Sequence, residues 1–118
     1  MKIYGIPNCD TVKKALTWLK DNNVDFEFHD FKKEGISAKK LKEWDNKAGL
    51  DKIVNKKSST WKEVGDSVKE TITSIDAAIP LLQEKTSIIK RPVIEDGKFL
   101  FFGFDEEAYK KHFLKSVD

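Results

Sequence analysis

The chain opens with a pattern that few folds accommodate: a short strand, a tight turn, one amphipathic helix and a second strand. Lys2-Ile3-Tyr4-Gly5 reads as a strand that stops at the turn residues Gly5, Pro7 and Asn8. Val12, Ala15, Leu16 and Leu19 then recur at helical spacing, with Lys13, Lys14 and Lys20 on the opposite face. Asp10 or Thr11 is expected to cap this helix, and Asp21-Asn22-Asn23 to end it. Val24 to Phe28 alternates with period two, leaving His29 at the strand's end. A helix between two strands is too long for a hairpin, so the strands pair in parallel through a right-handed crossover.

From about Lys33 to Lys85 the chain is rich in Lys, Ser and Thr, and its pattern is helical. Leu41, Trp44 and Ala48 form one apolar stripe, capped by Ser37; Val68, Ile72 and Ile75 form another, continued by Ile79 and Leu82. Pro80 is expected in a first turn or at a kink. Strand character returns at Ile88-Ile89 and runs through Arg91-Pro92 into Val93-Ile94. Asp96-Gly97 marks a two-residue hairpin and Phe99 to Phe102 the return strand. A last helix has Asp105 as cap, Glu106 and Glu107 in its first turn, and Lys110, Lys111 and Lys115 towards its end. Tyr109, Phe113 and Val117 would supply its buried face.

The order βαβ, helical insertion, ββα is that of a thioredoxin-like fold, α/β (α+β) in class, with a four-stranded mixed sheet. We expect one domain over residues 1–118, with the helical insertion at about 33–86, because the insertion is too short to hold a core of its own.

One cysteine in 118 residues rules out an intramolecular disulfide, and a reducing cytoplasm is the expected setting. The N-terminus enters a strand at once, so no signal peptide is expected, and no apolar run reaches the roughly 20 residues of a membrane span. A net charge of +2 argues against a nucleic-acid partner. The basic residues are lysines with a single exception, Arg91, whose planar fork of donors does what an ammonium cannot.

Cys9 stands between the first strand and the first helix, where unpaired backbone N–H groups face an anion. A thiolate there is stabilised, so its pKa falls below the free value of about 8.5 and its nucleophilicity at neutral pH rises. The alternative is a small buried hydrophobe. Val12 occupies the place of a second thiol, so any redox cycle is monothiol and an external thiol must resolve the adduct. Asn8, Asp10 and Thr11 flank the sulfur, and Lys13 and Lys14 add weak positive potential. If the fold places Arg91-Pro92 against this turn, Arg91 stabilises the thiolate or grips an anionic partner.

His29 is read as a hydrogen-bonded structural residue and His112 as a solvated one. One cysteine and two scattered histidines do not make a metal site. Trp18, Trp44 and Trp61 are read as core or interface residues. Lys56-Lys57-Ser58-Ser59 is either a loop beside the Cys9 cleft that meets an anionic ligand or simply a solvated loop.

Several stretches together resemble the arsenate reductase–Spx family, and most closely its YffB-like branch. They are Tyr4 to Ala15, Phe28-His29-Asp30-Phe31, Thr60-Trp61, Ile88 to Pro92, and Gly103-Phe104. The resemblance implies a thioredoxin-like core with a helical insertion. It implies catalysis by Cys9, with Asn8, Asp10, Thr11, Arg91, Pro92, Lys56 and Lys57 around the substrate or glutathione. It implies no tightly bound cofactor, glutathione as cosubstrate, and a glutathione or glutaredoxin-type thiol donor acting on a thiol or oxyanion substrate; a monomer is expected. Arsenate reductases of this type hold their oxyanion with three arginines. Here only Arg91 matches, with Asn55 and Gly103 at the other two places and Val12 where a serine is usual. The alternatives that the resemblance leaves open are an arsenate reductase with a reduced arginine set and an Spx-like regulator that binds RNA polymerase.

Overall fold

The computed structural model describes residues 1–114, so Lys115 and Val117 lie outside the described residues. Strand β1 (Lys2–Gly5) leads through Pro7 and Asn8 into α1 (Asp10–Asp21), and β2 (Glu27–Asp30) pairs with β1 in parallel. The insertion follows as α2 (Phe31–Glu34), α3 (Ala38–Ala48), α4 (Leu50–Ile53), α5 (Ser59–Glu63), α6 (Asp66–Lys69) and α7 (Ile75–Glu84). After a 3-10 turn at Thr86–Ile88, the hairpin of β3 (Val93–Asp96) and β4 (Phe99–Phe102) leads to α8 (Glu106–Phe113). The strand order is β2-β1-β3-β4, with β3 antiparallel to both β1 and β4. This is the four-stranded mixed sheet of a thioredoxin-like α/β fold.

Alternation along the strands divides the core between the two faces of the sheet. Ile3 and its register partner Ile94 pack with Ala15, Leu19 and Tyr109 from α1 and α8. Tyr4 and its partner Val93 point the other way, into a cluster with Leu41, Trp44, Ile79 and Leu82 from the insertion. Trp61 packs partly buried against that second cluster, and Trp18 against the first.

The insertion is docked by a polar network as well as by apolar contact. Glu95 accepts hydrogen bonds from Tyr4 Oη at 2.7 Å, Trp44 Nε1 at 2.8 Å and Lys40 Nζ at 3.2 Å. Burial pushes the Glu95 carboxyl up, but the donors from Tyr4, Trp44 and Lys40 outweigh it and leave the group below its ordinary range. The Tyr4 phenol moves the opposite way, raised first by burial and then by the carboxylate it faces.

Several boundaries differ from the sequence-based expectation. Strand β2 begins at Glu27, not Val24, because its partner β1 starts at Lys2, the residue opposite Glu27. Val24 instead closes α1: Asn23 takes a φ of 57°, and the N–H groups of Asn23 and Val24 donate to Lys20 and Leu19. The stripe Val68, Ile72, Ile75 is not one helix. Thr71 Oγ1 donates to the Val68 carbonyl at 2.6 Å, and Ser74 caps a new start at Ile75.

Pro80 lies inside α7 rather than in its first turn; it lacks the N–H that would reach Asp76. Ile88 belongs to the 3-10 turn, and Ile89 makes only an isolated bridge to Val54. The two-residue hairpin loop is Gly97-Lys98, because Asp96 still pairs with Phe99. Only Gly97 has positive φ there, at 60°, the pattern of a type II′ turn.

The two histidines differ. His29 is hydrogen-bonded to the Gly35 carbonyl at 2.6 Å, as expected of a structural residue. His112 is not simply solvated: its ring stacks on Phe99 at 3.8 Å, and Nε2 meets Asp96 Oδ2 at 2.7 Å.

Candidate active site

Cys9 occupies the cap position of α1, with φ −99° and ψ 126°. Neither Asp10 nor Thr11 is the cap, because both already belong to the first turn, where they are exposed. The backbone of Cys9 is held on both sides: its N–H donates to Ile6 at 3.3 Å, and its carbonyl accepts from Lys13 at 2.9 Å. Gly5 brings the end of β1 against the helix. A Cβ there would lie 3.0 Å from Val12 Cγ2, so a side chain would push the first turn away from the strand.

The half-buried thiol is held below its ordinary pKa by several opposing influences. Burial is the largest and pushes the thiol up; the Val12 amide, the Arg91 charge and the Thr11 amide together outweigh it. In this resting geometry the side chain closes no strict cap hydrogen bond. The amides therefore act chiefly as stabilisers of the anion.

Arg91 and Cys9 line the same cleft, of about 640 Å³. The Arg91-Pro92 peptide bond is cis, Pro92 is buried, and its carbonyl accepts from the Gly103 N–H at 2.8 Å. Arg91 Nη1 donates to the Ser87 carbonyl at 2.9 Å, and Ser87 Oγ donates to Thr60 Oγ1 at 2.7 Å. The insertion thereby forms the wall of the cleft opposite α1.

Of the residues singled out from the sequence, Asn8, Cys9 and Arg91 line the cleft together. Thr11 contributes its backbone N–H, while Asp10 and Pro92 are not among the lining residues. Lys56 and Lys57 are not brought to the cleft. Asn55 Oδ1 accepts from the Lys57 N–H at 3.1 Å, and Ser58 Oγ donates to the Asn55 carbonyl and caps α5. This turn delivers Thr60 to the cleft and leaves Lys56 on a separate cavity of about 80 Å³ with Trp61 and Lys69. The lysines of the cleft are Lys32 and Lys85, with Glu84 beside them. Their position just after β2 and at the end of α7 was the available signal, but it required knowing that α7 ends at the cleft.

Residues 4–112 match the ArsC family. The chain belongs to that family. A curated relative from Haemophilus influenzae, described as an uncharacterized protein, is 42% identical over 112 residues, covering 94% of this chain and 96% of its own. The solved structure of a YffB protein superposes with a TM-score of 0.87 at 36% identity, covering 93% of this chain and 96% of that one. A global transcriptional regulator, Spx 2 of Lactococcus lactis subsp. lactis, is 26% identical over 117 residues, which is 98% of this chain and 87% of the regulator.

Within this ArsC-family chain, the two positions expected to differ from an arsenate-binding arginine set have their own structural work. Asn55 builds the turn before α5. Gly103 sits at φ 98°, a conformation that disfavours any side chain, and its carbonyl accepts from Tyr109 Oη at 2.8 Å.

Proposed function

We propose that this ArsC-family chain is a glutathione-linked monothiol reductase whose nucleophile is Cys9. The observation that carries the reading is the lone thiol at the cap of α1 sharing a cleft with the only arginine. The Cys9 thiolate attacks the glutathione-side sulfur of a mixed disulfide, forming Cys9–S–S–glutathione and releasing the substrate thiolate, which takes up a proton. A second glutathione thiolate then attacks the glutathione-side sulfur of that adduct. Glutathione disulfide leaves and the Cys9 thiolate is restored, so the net reaction exchanges one mixed disulfide and one free glutathione for the substrate thiol and glutathione disulfide, half of which comes from the substrate's own glutathione. With no second thiol in the chain, the resolving thiol must come from outside.

Among the described residues that line the cleft, Lys32, Lys85 and Arg91 carry positive charge and Glu84 negative, with Asp10 next to Cys9 but outside the lining. This balance suits a tripeptide with two carboxylates and one ammonium. Arsenate fits less well, because Arg91 has one nitrogen committed to Ser87 and Gly103 is unsuited to an arginine.

The test pairs the pH dependence of Cys9 alkylation with mass spectrometry after exposure to glutathione disulfide. The expected result is a thiol ionising well below about 8.5 and one glutathione per chain, released by free glutathione. A thiol that ionises at 8.5 or above and takes no glutathione overturns the reading.

A further inference from the structure

The Arg91 guanidinium is held at one nitrogen by the Ser87 carbonyl, and Ser87 in turn is tied through its hydroxyl to Thr60 on α5. We propose that Thr60, acting through Ser87, is a positioning residue that aims Arg91 at the Cys9 sulfur. The inference rests on the thiol reading given above and adds to it a residue that need not touch the reacting atoms.

The loop between α7 and β3 is pinned twice from the strip that precedes α5. The Asn55 N–H donates to the Ile88 carbonyl at 2.7 Å, and the Lys90 N–H donates to the Ile53 carbonyl at 2.7 Å. Those bonds secure the backbone after Ser87. Ser87 itself, whose carbonyl carries the arginine, reaches the α5 wall through its side chain. Thr60 is placed to receive it because Ser58 caps α5 by accepting from the Trp61 N–H at 3.1 Å, so Thr60 enters the first turn facing the loop.

A guanidinium on a flexible stem loses part of its influence when it can swing away, since Coulombic attraction falls with distance and with solvent between the charges. Freeing Ser87 from Thr60 lets the carbonyl move and the fork with it. Lys32, Glu84 and Lys85 also face the cleft, so the double variant with Arg91→Ala is what assigns an altered thiol ionisation to Arg91.

The experiment measures the pH profile of iodoacetamide alkylation for the native chain, Thr60→Val, Thr60→Ser, Ser87→Ala and Arg91→Ala, with thermal melts alongside. Arg91→Ala should slow alkylation on the acid limb about tenfold, a rise of about one pKa unit. Thr60→Val and Ser87→Ala should each slow it about threefold, and Thr60→Ser should restore the native profile. In the double variant Thr60→Val with Arg91→Ala, the profile should equal that of Arg91→Ala alone.

A Thr60→Val profile identical to the native one, whatever its melting temperature, overturns the proposal while leaving the thiol reading intact. So does a full threefold effect persisting without Arg91. An Arg91→Ala profile identical to the native one also overturns the proposal, whereas the thiol reading falls only to a thiol that ionises at 8.5 or above and takes no glutathione. Should Thr60→Val fail to fold, Ser87→Ala decides the matter, because it keeps the carbonyl and removes only the link.

Discussion

Where α1 and α8 cover the sheet, Tyr109 lies among the rings of Trp18, Phe101, Phe104 and Phe113, with centroid separations of 5.0–6.0 Å. Where the insertion covers it, Trp44 and Tyr4 stand edge to face at 5.0 Å, and both donate to the carboxylate of Glu95. The first face is joined mainly by apolar area, which is indifferent to direction and to pH, with a polar link from His112 Nε2 to Asp96 Oδ2 at 2.7 Å. The second adds hydrogen bonds to a charge, which fix the angle of α3 on the sheet and depend on protonation. The insertion also forms a wall of the Cys9 cleft, so the face with the more directional joint is the one that must hold a cleft open.

The sharpest way to break this contrast is Trp44→Ala. It removes a fully buried ring and a donor to Glu95 together, and should cost about 3–5 kcal/mol in urea denaturation. Trp18→Ala, on the half-buried partner ring, should cost less than half as much. Equal losses would dissolve the distinction.

Glu95→Gln isolates the charge and should cost about 1–2 kcal/mol at pH 7. Because the folded-state pKa of Glu95 is lowered, its contribution is complete above the ordinary carboxylate value of about 4.3 and is lost as pH falls through the lower folded value. The stability gap between the native chain and Glu95→Gln should therefore narrow between pH 5 and strong acid. A gap that stays constant would mean that the carboxylate acts only through its shape.

The smallest difference, about 1 kcal/mol, lies between the same substitution made on the two faces. Tyr4→Phe removes a bond to a charged acceptor and should cost about 2 kcal/mol, whereas Tyr109→Phe removes one to the Gly103 carbonyl and should cost about 1 kcal/mol. The reverse order would place the more valuable hydroxyl on the apolar face.

These two faces also differ in how far they were legible beforehand. The strands, α1, α3 and α8 follow from period-two and helical spacing, and the turn at Pro7-Asn8 places Cys9 at a helix start. Which residue caps that helix was less legible: Asp10 and Thr11 have the usual capping side chains, yet the backbone turns one residue earlier. The Glu95 network left no local trace, because its partners lie 91, 51 and 55 residues away in the chain. The cleft lysines were misplaced for a similar reason. Lys56 and Lys57 sit next to the right helix, but an Asn55 turn decides which neighbour faces the cysteine, and that turn is a matter of side-chain hydrogen bonding.

The two backbone bonds of Cys9, one to Ile6 behind it and one to Lys13 ahead, fix its main chain and leave its side-chain torsions, Cα–Cβ and Cβ–Sγ, free to turn. A group loaded onto the sulfur can then swivel in and out of the cleft while the main chain stands still. Charging and discharging the thiol thus asks for a rotamer change and no reshaping of the scaffold, which makes this residue a hook on a fixed rail.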